Sequence, residues 1–474
     1  MVDYNVKYKF DTDFEILEKN KLYLFVDFNH VNWFRTNKSG YEIIKKVSEG
    51  NSIAEALAML SEEKGFKVDF IEKQFEPFIE EAIKNKIFIK VDKEKTEDAS
   101  QAITYPNTIW VHVTNVCNLN CQFCYSDANT KGILNINYQE VLEFLKELPK
   151  EHRKTVIISG GEPFLYPNLS PLVSGLKELE FTVNIITNGT VGKELYPYII
   201  PRIDLLQVSV DGTKEEINQK TRGKQSLEKT LASIKYAKEL GVKNLYISFT
   251  ATKYNVCDLP CFPEFLYENR INHMHITKLL PVGRGEINKE DLSPNIYKYA
   301  EYLEQFKQNL KIVNQKIHYK RECEEIFLED KEKTKHLTVS FASDRLNNVM
   351  YSYKVTGCGS GDATVSINFD GKIYPCTSLN GEEECIGDIK TDSIEIIIGK
   401  GQELAKMLCV DQIPLCKSCK FRYFCGGGCR ACAKNNNGIM GKDPDCDKYK
   451  EAILEYMWTL NLVQKTADQE ENIE

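Results

Sequence analysis

Residues 113–127, VTNVCNLNCQFCYSD, set Cys117, Cys121 and Cys124 in a C-x3-C-x2-C spacing at the end of the β-type run TIWVHV. Three thiolates this close can ligate three irons of a [4Fe–4S] cube, and they leave the fourth iron without a protein ligand from this loop. An iron with an open position binds a small molecule, which marks a catalytic rather than a structural metal site. The competing reading is a zinc knuckle, although zinc sites more often combine two C-x2-C arms from separate segments.

Around this loop the pattern is α/β. TVIIS, TVNIITN, LLQVSV, NLYISF and HMHITK read as strands, with YQEVLEFLKELPK and SLEKTLASIKYAKELG as helices between them. Strands alternating with helices at this spacing predict a parallel sheet, open or barrel-like, with its active site at the carboxyl ends of the strands. Residues 290–313 read as a longer helix, and about the last hundred residues show little regular pattern, as expected where metal clusters replace an apolar core.

Upstream, LYLFVDF and VNWFRT read as a hairpin turning at Asn29-His30. SGYEIIKKVSEG, SIAEALAMLSEEKG and FIEKQFEPFIEEAIKNK then repeat apolar residues at helical spacing, and KIFIKV closes as a strand. This order suggests a winged-helix-like domain over residues 1–92. A charged linker follows at 93–106, overlapping the segment VDKEKTEDASQ at 91–101, then an α/β domain at 107–315, a cysteine-rich part at 316–462 and a flexible tail at 463–474.

Composition excludes whole classes. The 474 residues are 42% hydrophobic and 27% charged, which is ordinary for folded domains. No apolar run approaches the roughly 18 residues of a membrane span, and no secretory signal opens the chain, so a cytoplasmic protein is expected. A net charge of −8 argues against a general nucleic-acid binder. The informative number is 16 cysteines, ten of them between Cys358 and Cys446, which without a signal peptide points to metal rather than disulfides.

Two further motifs sharpen the metal reading. Gly160-Gly161-Glu162-Pro163 follows TVIIS, and downstream run Cys358, Gly371-x4-Cys376, Cys416-x2-Cys419-x5-Cys425-x3-Cys429 and Cys446. The C-x3-C-x2-C loop with Phe123 before its last cysteine, taken with that glycine-rich turn, resembles the radical S-adenosylmethionine enzymes. The downstream set resembles their SPASM extension. The resemblance implies a partial (β/α)6 TIM-like barrel in the α/β class, with a C-terminal iron–sulfur cluster domain. It implies a [4Fe–4S] cluster on Cys117, Cys121 and Cys124 that binds S-adenosylmethionine and generates a 5′-deoxyadenosyl radical. It also implies cofactor contacts from Phe123, Gly160, Gly161 and Glu162, and from Asn188 in ITNG, Ser209 in VSVDG and Arg222 in TRGK. PVGRGE at 281–286 looks like the family's sixth-strand loop and has no assigned role.

By the same resemblance, Cys416, Cys419, Cys425 and Cys446 bind one auxiliary [4Fe–4S] cluster, and Cys358, Cys376 and Cys429 bind another. Some relatives have a further cysteine just before the Cys358 position, where this chain has Tyr351 to Gly357. The last cluster therefore keeps an open iron or takes Cys432, Cys323 or a substrate thiol. Cys257, Cys261, Cys385 and Cys409 belong to no motif and are expected to be small buried hydrophobes.

The front domain looks like a peptide recognition element, in which a leader peptide adds a strand to a sheet edge. All three parts together resemble maturases of ribosomally made peptides, especially the sactipeptide synthases, which join cysteine sulfur to carbon. This implies a precursor peptide as partner and a reductant such as flavodoxin or ferredoxin. Carbon–carbon crosslinking, an anaerobic sulfatase-type maturase and a non-catalytic electron carrier are the alternatives.

Overall fold

The computed structural model describes residues 8–10, 14–84, 87–90, 105–322, 336–341 and 353–459. The segment 91–101, Cys323, Tyr351 and the tail lie outside these residues.

In the front segment β2 (Glu15–Lys19), β3 (Leu22–Asp27) and β4 (Asn32–Asn37) form an antiparallel sheet in that order, and β1 (Tyr8–Phe10) pairs with β5 (Phe88–Lys90). β2 escapes sequence reading because EILEK is largely polar and mostly exposed. The β3–β4 turn is held by Asp27, whose Oδ1 accepts the main-chain N–H of Asn29 at 2.9 Å and His30 at 3.0 Å. Helices Lys38–Ser48, Ile53–Lys64 and Val68–Lys84 follow. The second starts on a reciprocal cap between Ser52 and Glu55 and ends at Gly65 in the left-handed conformation, φ 71°.

The sheet β2-β3-β4 buries both faces. Alternation along a strand sends Phe25 and Phe34 against the helices, where they meet Ile43, Ile44, Leu57 and Leu60. It sends Leu24, Val26 and Trp33 the other way, against Val410, Phe421, Phe424, Ile453 and Met457 of the C-terminal part. Burial on both faces explains why LYLFV is continuously apolar. Phe28 meets Phe421 edge-on at 5.0 Å, and Lys420 pairs with Glu15 at 2.7 Å beside this contact.

The central sheet has ten strands among the described residues. They are β6 (Thr108–His112), β7 (Thr155–Ser159), β8 (Thr182–Thr187), β9 (Leu205–Ser209), β10 (Leu245–Ala251), β11 (His273–Lys278), β12 (Thr338–Phe341), β13 (Thr364–Ile367), β14 (Lys372–Tyr374) and β15 (Gly387–Asp388). The six expected barrel strands, β6 to β11, are all parallel and adjacent in chain order. Beyond expectation, β12 extends one edge and β13 the other, both in parallel, and β14 and β15 continue antiparallel from β13. One strand face is apolar and buried under helices, as with Val156, Ile158, Val183 and Ile185. The opposite face carries Gln207, Ser209, Ser248, Thr250 and His275, which line a cavity.

The long helix runs over Ile296–Glu322, across the expected boundary at 315. The C-terminal part is more regular than expected, with helices Ile394–Met407, Arg430–Asn437 and Cys446–Thr459. Short helices draw their stability from tertiary packing rather than propensity. Ile394 and Ile397 pack on the barrel core, and Ile453 and Met457 pack on the front sheet.

Trp33 is fully buried in the contact between the front sheet and the C-terminal part. Trp33→Ala is expected to cost about 3–5 kcal/mol in denaturant unfolding. Lys420→Ala, at the exposed pair beside it, is expected to cost under about 1 kcal/mol.

Candidate active site

Everything at this site hangs on a close approach of two backbones. Gly161 donates its N–H to the Thr114 carbonyl at 2.7 Å and Glu162 donates to Val116 at 2.9 Å, so the turn after β7 lies directly on the loop carrying the cysteines. A Cβ on Gly161 would sit 2.0 Å from the Val116 carbonyl oxygen, and one on Gly160 (φ 127°) 2.5 Å from that of Thr114. Glycine is required at both positions.

The loop is also gripped from its far side by PVGRGE. Arg284 donates Nε to the Cys121 carbonyl (2.9 Å) and Nη2 to that of Ala128 (2.8 Å), and pairs with Asp127 at 2.6 Å. Gly283, φ 58°, comes so close that a Cβ would lie 2.6 Å from the carbonyl oxygens of both Cys124 and Tyr125.

Cys117, Cys121 and Cys124 line a cavity of about 360 Å³ at the carboxyl ends of the strands, together with Phe123, Gly160, Gly161, Asn188, Ser209 and Arg222. Asn188 places Nδ2 3.8 Å from Cys117 Sγ, and its Oδ1 accepts the Thr190 N–H at 2.8 Å. Ser209 shares a hydrogen bond with Ser248 at 3.3 Å. Arg222 pairs with the fully buried Asp211 at 2.7 Å and lies 5.5 Å from the centre of the Phe123 ring. Burial pushes the Cys117 thiol up to about 12 and raises that of Cys121 against the pull of Arg222. A cluster that takes their thiolates therefore displaces protons.

Glu162 is the exception among the expected contacts. It is fully buried and does not line the cavity. Its Oε1 accepts Thr187 Oγ1–H at 2.7 Å and the Phe164 N–H at 3.1 Å, and its Oε2 accepts the Asn188 N–H at 2.8 Å. Glu162 thus ties the turn after β7 to the end of β8, and burial pushes its carboxyl up to about 7.

The downstream cysteines surround two more cavities. Cys358, Cys376, Cys425 and Cys429 line one of about 400 Å³; Cys416, Cys419, Cys425 and Cys446 line one of about 160 Å³. Between Cys425 and Cys429 stand three left-handed glycines, Gly426, Gly427 and Gly428, with φ 66°, 81° and 86°. They turn the chain between Cys425, which lines both cavities, and Cys429, which lines only the larger one. Burial pushes Cys376 and Cys416 up to about 11.

Two observations test whether iron–sulfur clusters fit. At least three cysteines line each of the three cavities. Cysteines spread around a cavity suit a cube of irons better than one zinc with bonds of roughly 2.3 Å. Secondly, Arg430 is 1% exposed and lines both auxiliary cavities. Among the described residues its guanidinium donates only to the main-chain carbonyls of Ile439, Gly441 and Gly427, and its Nε has no hydrogen-bond partner. A buried cation in this state calls for an anion, and a thiolate-ligated cluster is one.

The remaining cysteines depart from expectation. Cys257 and Cys261 are exposed, because the short helix Val256–Cys261 buries Val256 and Leu259 instead, and Cys385 and Cys409 are only partly buried. Cys432 is buried but lies outside the cavity lined by Cys358, Cys376 and Cys429. Sequence reading missed Asp211, Arg284 and Arg430, although the first two sit inside the quoted VSVDG and PVGRGE and the third directly follows Cys429.

Replacing Cys117, Cys121 and Cys124 by Ala should lower iron from about twelve to about eight per anoxically purified chain and abolish S-adenosylmethionine cleavage. Iron and sulfide analysis with an assay for 5′-deoxyadenosine checks both; persistent cleavage would sink the assignment.

Residues 111–259 match the Radical SAM superfamily and residues 358–420 the SPASM iron–sulfur cluster-binding domain. Among sequence relatives, the Fe-coproporphyrin III synthase of Methanosarcina barkeri is 27% identical, over 74% of this chain and 90% of its own. A Probable GTP 3',8-cyclase of Sulfurisphaera tokodaii is 25% identical over 59% of this chain and 83% of its own. Among solved structures, Streptococcus suis SuiB bound to its precursor peptide SuiA covers 93% of this chain and 99% of its own, with TM-score 0.54 and 15% identity. The structure of anSMEcpe with bound AdoMet covers 74% and 97%, with TM-score 0.54 and 17% identity. These structures share the fold, and the two matched domains imply [4Fe–4S] clusters and S-adenosylmethionine as cofactors. The chain carries a radical S-adenosylmethionine domain followed by a SPASM iron–sulfur domain.

Proposed function

We propose that this enzyme matures a ribosomally made peptide by joining a cysteine sulfur to a carbon of the same peptide. The observation that carries this reading is a shared wall. Leu280 and Ser378 line both the cavity around Cys117, Cys121 and Cys124 and the cavity around Cys358, Cys376 and Cys429. One bound peptide can therefore present a carbon to the first and a sulfur to the second.

The lining chemistry favours a peptide over the anions in the relatives' names. The two cations of the first cavity are each held by a carboxylate, Arg222 by Asp211 at 2.7 Å and Lys278 by Asp445 at 2.5 Å. Triphosphates and carboxylated macrocycles are usually met by cations free to pair with them. Gln207, Ser248, Thr250, Thr277, Thr377 and Ser378 offer neutral donors and acceptors suited to amide groups. SuiB, with a precursor peptide bound, supports the same reading.

When bound, the cofactors supply a hydrogen-abstracting radical and an electron acceptor. The protein's own part is positioning. Cys117, Cys121 and Cys124 hold the first cluster, while the main chain at Gly160 and Gly161, with Asn188, Ser209, Arg222 and Phe123, shapes the cavity for the sulfonium cofactor. Glu162 braces that wall rather than touching the cofactor. Cys416, Cys419, Cys425 and Cys446 hold one auxiliary cluster. Cys358, Cys376 and Cys429 hold the other and leave a position for the substrate sulfur. The ends of the front sheet, β2 and β4, offer main-chain groups to an extended leader. An external low-potential reductant such as flavodoxin or ferredoxin supplies electrons.

The test is the mass of a small cysteine-containing peptide encoded beside this gene, coexpressed with and without this chain. Loss of two hydrogens per crosslink, with thiols that no longer alkylate, is expected. The same loss with free thiols would replace thioether by carbon–carbon bonding, and an unchanged mass would overturn the reading for that peptide. Deleting residues 1–92 is a poor discriminator from a sulfatase-type maturase, because it would strip the cover from Phe421, Phe424, Ile453 and Met457.

A further inference from the structure

We infer that Arg430 is a counter-cation shared by the two auxiliary clusters and sets the reduction potential of both. The inference rests on the cysteine assignment above and goes beyond it. Arg430 opens the helix Arg430–Asn437 immediately after Cys429. Only Cys425, Gly428 and Arg430 line both auxiliary cavities among the described residues, so the guanidinium is the one charged group on their common wall.

Its surroundings set it apart from the neighbouring cations. Arg422 pairs with Asp411, Lys442 and Lys450 with Asp447, and Lys278 with Asp445. Arg430 has no such pair among the described residues, only carbonyl acceptors for its Nη atoms and none for Nε. The buried Asp443 nearby accepts main-chain N–H groups, from Cys429 at 2.6 Å and Asp445 at 2.8 Å.

The electrostatics give a sign. Reducing a cluster adds one negative charge, and a fixed cation in a poorly solvated wall stabilises that charge strongly. A guanidinium stays protonated at any working pH, so the effect is constant. Removing it should make both auxiliary clusters harder to reduce, while the cluster on Cys117, Cys121 and Cys124 is unaffected.

The experiment is an EPR-monitored redox titration of the reconstituted holoenzyme, wild type against Arg430→Gln and Arg430→Lys, with iron counted in each. The expected result is a lower midpoint for both auxiliary clusters in Arg430→Gln, an unchanged first cluster, and near-wild-type midpoints in Arg430→Lys. Unchanged auxiliary midpoints in Arg430→Gln would overturn the inference, as would equal damage in both variants. If Arg430→Gln loses only the auxiliary iron, falling from about twelve to about four per chain, while Arg430→Lys keeps it, the counter-cation is needed for assembly as well. A wild-type chain holding only about four irons would instead bring down the cysteine assignment, and this inference with it.

Discussion

The structure depends first on one steric constraint: the turn after β7 must lie on the backbone of the cysteine loop with no side chain between them. Gly160 and Gly161 meet it, and the hydrogen bonds from Gly161 and Glu162 to Thr114 and Val116 fix the two segments together. From this contact the rest of the site follows. The loop is held at the carboxyl end of β6, Arg284 ties its carbonyls from the other side, and Glu162 reaches on to β8. Three consecutive strand ends and the loop behave as one unit, which is what a site needs if it is to hold a reactive cofactor in fixed geometry.

The C-terminal part solves a related problem differently. Four cysteines line each cavity, with Cys425 common to both, and three left-handed glycines turn the chain between Cys425 and Cys429. Arg430, buried with no carboxylate partner among the described residues, lines both cavities. A cation in that state is a cost to the protein unless an anion joins it. Folding of this part and cluster binding are thereby linked.

The front domain is bound into the same arrangement. Because alternate residues of β3 and β4 face opposite ways, one sheet closes its own helical core with Phe25 and Phe34 and roofs the cysteine-rich part with Leu24, Val26 and Trp33. Partly buried Cys416, Cys419 and Cys425 pack against that second core. The front domain and the cysteine-rich part thus share a hydrophobic contact.

The sequence by itself determined the cofactor class and the fold class. Ligation depends on the spacing of a few adjacent residues, so C-x3-C-x2-C and the downstream cysteine run are legible in one dimension, and so are the strand and helix periods and the glycine-rich turn. Local patterns also outlined the front domain, except for β2, whose polar residues carry no apolar alternation. Tertiary structure alone decided the rest. That Glu162 is buried against Thr187 and Asn188 and does not line the cavity, that Arg222 and Lys278 are paired while Arg430 has no such pair among the described residues, and that Leu280 and Ser378 line two cavities all depend on segments far apart in the chain. Lys278 meets Asp445, and Trp33 meets Met457. Burial and charge pairing are properties of such contacts, and spacing along the chain does not encode them.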